Sequence, residues 1–224
     1  MKRIMYMVIG LALSQLPVSA VVRVVTAPTI PMAKEVKGHF AGQVDGELVT
    51  WGGYYRTRNV ITRAWCDHYD PFAYGASVAM PQGALFVGGK FQDLAATQVA
   101  YRKPALPGDA ATNWGVDLSC LEMRPALPTA LYRLAATRTG DYVYAFAGRG
   151  DSLPNQRAWR IAWPNGKEWE PLADMPGEPR LSPSVVVCDG LFGTQLLVVG
   201  GCREGGDTLD YRTLHKSGVR YDVA

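Results

Sequence analysis

One pattern, written four times, constrains what this chain can fold into more than any other feature of it. GHFAGQVDGELVTWGG begins at Gly38, YGASVAMPQGALFVGG at Tyr74, LYRLAATRTGDYVYAFAG at Leu131 and SPSVVVCDGLFGTQLLVVGG at Ser182. Each copy is a run of small and β-branched residues, a turn, and an apolar strand closed by glycine. Asp45-Gly46, Gln82-Gly83, Gly140-Asp141 and Asp189-Gly190 are residue types that permit tight hairpin turns. Gly52-Gly53, Gly88-Gly89 and Gly200-Gly201 close three copies, and Ala147-Gly148 closes the other. A hairpin recurring along a chain is the signature of a repeat architecture.

No long stretch has apolar residues at helical spacing, while 24 glycines and 15 prolines punctuate the chain at strand-like intervals. The reading is all-β, a β-propeller with about four blades visible. Small residues in AGQV, GASVA and LAATR suit inner strands that converge on an axis, where bulky side chains would collide. In the third copy Arg157 to Ala162 and Glu168 to Leu172 supply two outer strands around a turn at Pro164-Asn165-Gly166-Lys167. Trp169 is expected to pack between neighbouring repeats. Gly218 to Val223 is expected as the third strand of the fourth copy. Only about 36 residues separate Gly52 from Gly88, so the first copy is read as lacking room for both outer strands. The ring is therefore expected to be partial, with open edges that favour self-association.

The opening MKRIMYMVIGLALSQLPVSA has the three parts of a secretory signal peptide, with Lys2 and Arg3, an apolar run, and a small-residue cut site at Val18-Ser19-Ala20. Residues 1–20 are read as removed and 21–224 as one domain, exported to the periplasm or secreted. Ser14, Gln15 and Pro17 interrupt the apolar run, which argues against a membrane anchor. Loss of Lys2 and Arg3 leaves 21 basic against 20 acidic side chains, scattered along the chain, which argues against a nucleic-acid surface. Cys66, Cys120, Cys188 and Cys202 invite a disulfide reading. A hairpin would hold Cys188 and Cys202 on the order of 20 Å apart, so free thiols are expected.

His39, His68 and His215 are the histidines, and none stands at ligand spacing with Cys or carboxylates, so no metal site is read. Gly-x-Ser-x-Gly, the phosphate-binding loop and the dinucleotide fingerprint do not occur. Candidate substrate-binding residues are Arg180 in PGEPR and Arg133 in LYRLAA, which precede inner strands, with His39 and Tyr74 at comparable places in the first two copies.

GHFAGQVDGELVTWGG, AYGASVAMPQGALFVGG, LPTALYRLAATRTGDYVYAFAGR and RAWRIAW…KEWEPLADMPGEPRLSPSVVVCDG together resemble the kelch-type sialic acid mutarotases, or N-acetylneuraminate epimerases. The order of copies is similar to that of the cyclically permuted members, over roughly residues 35 to 202, in an apparently shortened form. The resemblance implies an exported kelch propeller that interconverts the α and β anomers of N-acetylneuraminate without a cofactor. A base would take the anomeric hydroxyl proton and an acid would protonate the ring oxygen. An arginine fork would hold the substrate carboxylate. The family's catalytic Glu and Arg lie in a segment without a counterpart here. CREGGDTLDYR contains Glu204 and Arg212 at a different place in the blade order, and the role is not carried over to them. A non-catalytic kelch module binding a glycan or protein, or an inactive remnant, is the competing reading.

Overall fold

The hairpins read from the sequence are the units from which the sheets are built. The computed structural model describes residues 38–44, 47–51, 53–58, 65–70, 73–91, 94–102, 121–150, 155–190, 193–203 and 213–223. The expected signal segment 1–20, Glu204, Arg212 and Cys120 lie outside them, as does the Asp45-Gly46 turn. Every element among the described residues is a β-strand.

The first repeat pairs β1 (Phe40–Val44) with β2 (Glu47–Trp51). A separate hairpin follows, β3 (Gly53–Arg58) with β4 (Trp65–Asp70). The second repeat contains β5 (Ala76–Met80), β6 (Gly83–Val87), the short pair β7 (Lys90–Phe91) and β8 (Leu94–Ala95), β9 (Val99–Arg102) and β10 (Leu121–Met123). Its four-stranded sheet runs β5-β6-β9-β10. The third is a simple meander of β11 (Ala135–Thr139), β12 (Tyr142–Phe146), β13 (Ala158–Ala162) and β14 (Glu170–Pro171). The fourth is β15 (Ser184–Gly190), β16 (Gly193–Val199) and β17 (Gly218–Asp222). All pairings are antiparallel, and β13, β14 and β17 fall where the sequence placed them.

The first sheet holds only β1 and β2 among the described residues, in keeping with the short interval before the second repeat, and that interval carries two six-residue strands, β3 and β4, which pair with each other and form no ladder with β2. One expectation is corrected. The second and fourth hairpins do not turn at Gln82-Gly83 and Asp189-Gly190. Met80 faces Gly83, so the second turns at Pro81-Gln82, and Gly190 faces Gly193, so the fourth reverses only beyond Gly190.

Strand alternation sends successive side chains to opposite faces, and these sheets use both faces. Ala84, Phe86 and Ala100 of the second repeat meet Phe40 of the first. On the other face Val78, Leu85, Val87 and Val99 form one core with Val143, Ala145, Trp159 and Ile161 of the third. Tyr144 and Phe146, on the reverse of β12, join Leu196, Val198 and Val219 of the fourth. The repeats are thus consecutive layers, each buried against the next. Inner strands follow the same order, β5 packing against β1 and β11, and β11 against β15. Trp169 is buried in the core between the second and third repeats and donates its indole N–H to the Pro125 carbonyl at 3.0 Å. Beside it the Arg124 guanidinium carbon lies 4.6 Å from the centroid of the Trp163 ring, and Arg124, Trp163 and Trp169 help line a small cleft.

Candidate functional site

Two residues before each inner strand the backbone makes the same unusual turn. Gly38, Tyr74, Arg133 and Ser182 have φ of 64°, 60°, 53° and 53°. Side chains other than glycine rarely adopt this left-handed region. A head-to-tail hydrogen-bond relay holds it. Tyr74 N–H donates to the Gly38 carbonyl at 2.6 Å, Arg133 N–H to Tyr74 at 2.6 Å, and Ser182 N–H to Arg133 at 2.7 Å. Each bond joins one repeat to the next, so Tyr74 and Arg133 are fixed from both sides and Gly38 and Ser182 from one.

A second element repeats at the same end. Ala73 and Lys90, Tyr132 and Arg149, and Leu181 and Cys202 each form a reciprocal antiparallel bridge. The bridge ties the residue before the left-handed turn to the residue after the closing pair. The open ends of the inner hairpins are thereby locked, and loop side chains are presented there on a rigid frame.

The side chains so placed are mostly basic and aromatic. Arg133 lies over the Tyr74 ring, its guanidinium carbon 5.7 Å from the centroid, and Lys90 Nζ stands 5.5 Å from the centroid of Tyr132. Tyr74, Lys90, Tyr132, Arg133 and Arg149 are all half-buried, and Arg157 and Ser182 are exposed. The Tyr74 ring covers Gly38 so closely that a Cβ there would collide with it. Among the described residues Arg133 carries no ion pair, and the Tyr74 ring lies against its charge. Glu178, in the loop leading to the fourth inner strand, is engaged by Arg203 at 2.9 Å.

The sequence candidates therefore separate. Tyr74 and Arg133 are brought together. His39 falls one position after the left-handed turn, so it corresponds to Gly75, Leu134 and Pro183, and Gly38 is the counterpart of Tyr74. Its Nδ1 is buried and has no hydrogen-bond partner. Arg180 falls two positions before the turn, in register with the buried Leu131, and is itself 4 % exposed. It donates to the Gly200 carbonyl at 2.9 Å, the Ser217 carbonyl at 2.8 Å and Ser217 Oγ at 2.8 Å. Burial lowers its pKa from the ordinary arginine value. Its guanidinium ties two segments of the fourth repeat together rather than facing solvent. Lys90, Tyr132 and Arg149 were not singled out by sequence reasoning; their only local mark is their place beside or opposite a closing pair.

Cys188 and Cys202 are free thiols. Among the described residues no three His, Cys, Asp or Glu side chains come together to hold a metal ion. The fold and this end of it define an all-β protein of layered antiparallel sheets with a basic, aromatic rim at the hairpin ends. No family model matches the chain, and no curated protein matches it.

Proposed function

We propose that the layered sheets are blades of a partial kelch-type β-propeller, and that the open hairpin ends bind a carboxylate-bearing sugar. On this reading the protein is an exported mutarotase acting on N-acetylneuraminate in the periplasm. The observation that carries it is the backbone relay through Gly38, Tyr74, Arg133 and Ser182, which sets an arginine and a tyrosine side by side at the rim. Arg133 would hold the carboxylate by charge-assisted hydrogen bonds, and the Tyr74 face would meet the apolar face of the sugar ring. Glu178, in the loop leading to the fourth inner strand and paired with Arg203 at 2.9 Å, is the carboxylate assigned to accept the anomeric proton on this reading.

A second reading, a non-catalytic module binding an acidic glycan, is favoured by that same ion pair. The Arg203 guanidinium at 2.9 Å already occupies that carboxylate, an arrangement that suits a binding surface without a proton acceptor.

Anomer exchange of N-acetylneuraminate followed by NMR beside a buffer blank tests the proposal. Acceleration is expected, with loss of at least tenfold in Arg133→Ala and in Glu178→Gln. An exchange rate equal to the blank removes the mutarotase reading. Sugar resonances that still broaden on adding protein would then support the binding module.

A further inference from the structure

Successive stacking leaves one sheet face over at each end of the described series. Val186 holds in β15 the position that Val78 holds in β5. Val78 is 3 % exposed because the third repeat covers it, whereas Val186 is 47 % exposed. Cross-strand register puts Leu197 opposite Val186 and Val199 opposite Ser184, on the same face, with Cys188 next along. Further out, Arg220 and Asp222 pair at 3.5 Å. The uncovered face is therefore apolar along its inner strands and charged at its outer edge. At the other end Ala41 is exposed, on the face of β1 opposite to Phe40. The relay stops at these same two faces: the Ser182 carbonyl and the Gly38 N–H have no backbone partner among the described residues.

We infer that a second copy of this chain occupies both faces. Three times within the chain, the far face of one sheet receives the near face of the next, with one relay hydrogen bond across the join. The two faces left over are the two halves of that same junction. A head-to-tail pair satisfies both at once, each copy seating its first sheet on the fourth sheet of the other, and a contact of this kind closes when the rotation permits. Two copies bring eight layers, the upper end of the range for rings built from radial sheets. This inference rests on the stacking and not on the sugar chemistry, so loss of mutarotase activity leaves it untouched.

Sedimentation equilibrium at about 50 μM chain tests it, alongside Val186→Glu and Ala41→Glu, both at exposed positions where a charge leaves the fold intact; unchanged far-UV circular dichroism checks this. The expected mass is twice that of the purified chain, halved in each variant. An equimolar mixture of the two variants should recover a dimer, since each retains the face that the other has lost. A monomeric parent chain overturns the inference, and so does mass that keeps growing with concentration. A dimer sensitive to Val186→Glu but not to Ala41→Glu would place two fourth sheets face to face, which also overturns it.

Discussion

Adding one methyl group at Gly88 and the same group at Gly200 separates two constraints that the closing glycines share. Both have left-handed φ, 63° and 65°, and Ala147 sits at the equivalent point of the third repeat with φ 58°. The conformation alone is therefore compatible with a Cβ, at about 1 kcal/mol. Their surroundings differ. At Gly200 a Cβ meets nothing within 4 Å, whereas at Gly88 it lies 2.5 Å from the Leu131 carbonyl oxygen and 3.0 Å from Leu134 Cδ2. That carbonyl accepts the Gly89 N–H at 2.8 Å, joining the second repeat to the third. Displacing it weakens a hydrogen bond worth about 1 kcal/mol, and pushing Leu134 off its site adds about 1–3 kcal/mol of overpacking. Gly88→Ala should thus lose about 4 kcal/mol and Gly200→Ala about 1 kcal/mol. For a chain of this size those losses lower Tm by about 10 °C and about 3 °C. Thermal unfolding followed by circular dichroism reads both. Equal shifts in the two variants would refute the close-approach argument and leave backbone strain as the whole effect.

Arg180→Ala leaves the Gly200 and Ser217 carbonyls without their donor and should cost about 3–5 kcal/mol in urea unfolding, a loss that Arg180→Lys recovers only in part. Trp169→Phe keeps an aromatic ring but removes the indole N–H and strands the Pro125 carbonyl, and about 1–3 kcal/mol of stability should go with it, read from the urea midpoint. The Tyr221 hydroxyl donates to the Ala173 carbonyl at 3.0 Å, and burial, helped by the Asp174 charge, pushes its pKa up to about 12. The unfolded chain releases that proton near pH 10. The folded state binds it more tightly, so this contribution is complete below pH 10 and disappears between about pH 10 and 12. Unfolding free energies measured across that interval should fall less steeply in Tyr221→Phe than in the parent chain.

Inner hairpins, closing glycines and the buried tryptophan were legible because each follows from a local rule: period-two alternation, a tight turn, and a chain reversal without a Cβ clash. What escaped the sequence was decided between repeats. Asp189-Gly190 is a strong local turn signal, yet turning there would set Val185 opposite Thr194 and leave Leu196 and Val198 without strand partners. The observed register places Val185 opposite Val198 and Val187 opposite Leu196, against Tyr144 and Phe146, so burial outweighs turn preference. The interval before Ala73 was judged by length against a standard repeat, and length is silent about the alternation in GYYRTR and WCDHYD that makes β3 and β4. The rim depended on register even more closely. Arg133 and Arg180 look alike in sequence, each just ahead of an inner strand, but they stand one and three residues before Leu134 and Pro183, the equivalent residues that follow the left-handed turn. That offset makes Arg133 a rim cation over Tyr74 and Arg180 a buried tie between main-chain carbonyls. Neither tyrosine nor arginine advertises a left-handed backbone; only Gly38 does, and it is the one position of the four with no side chain to contribute. In such a fold the unusual backbone sits where the next repeat's N–H holds a residue in a conformation that its own sequence would not choose, and finding it requires the neighbour.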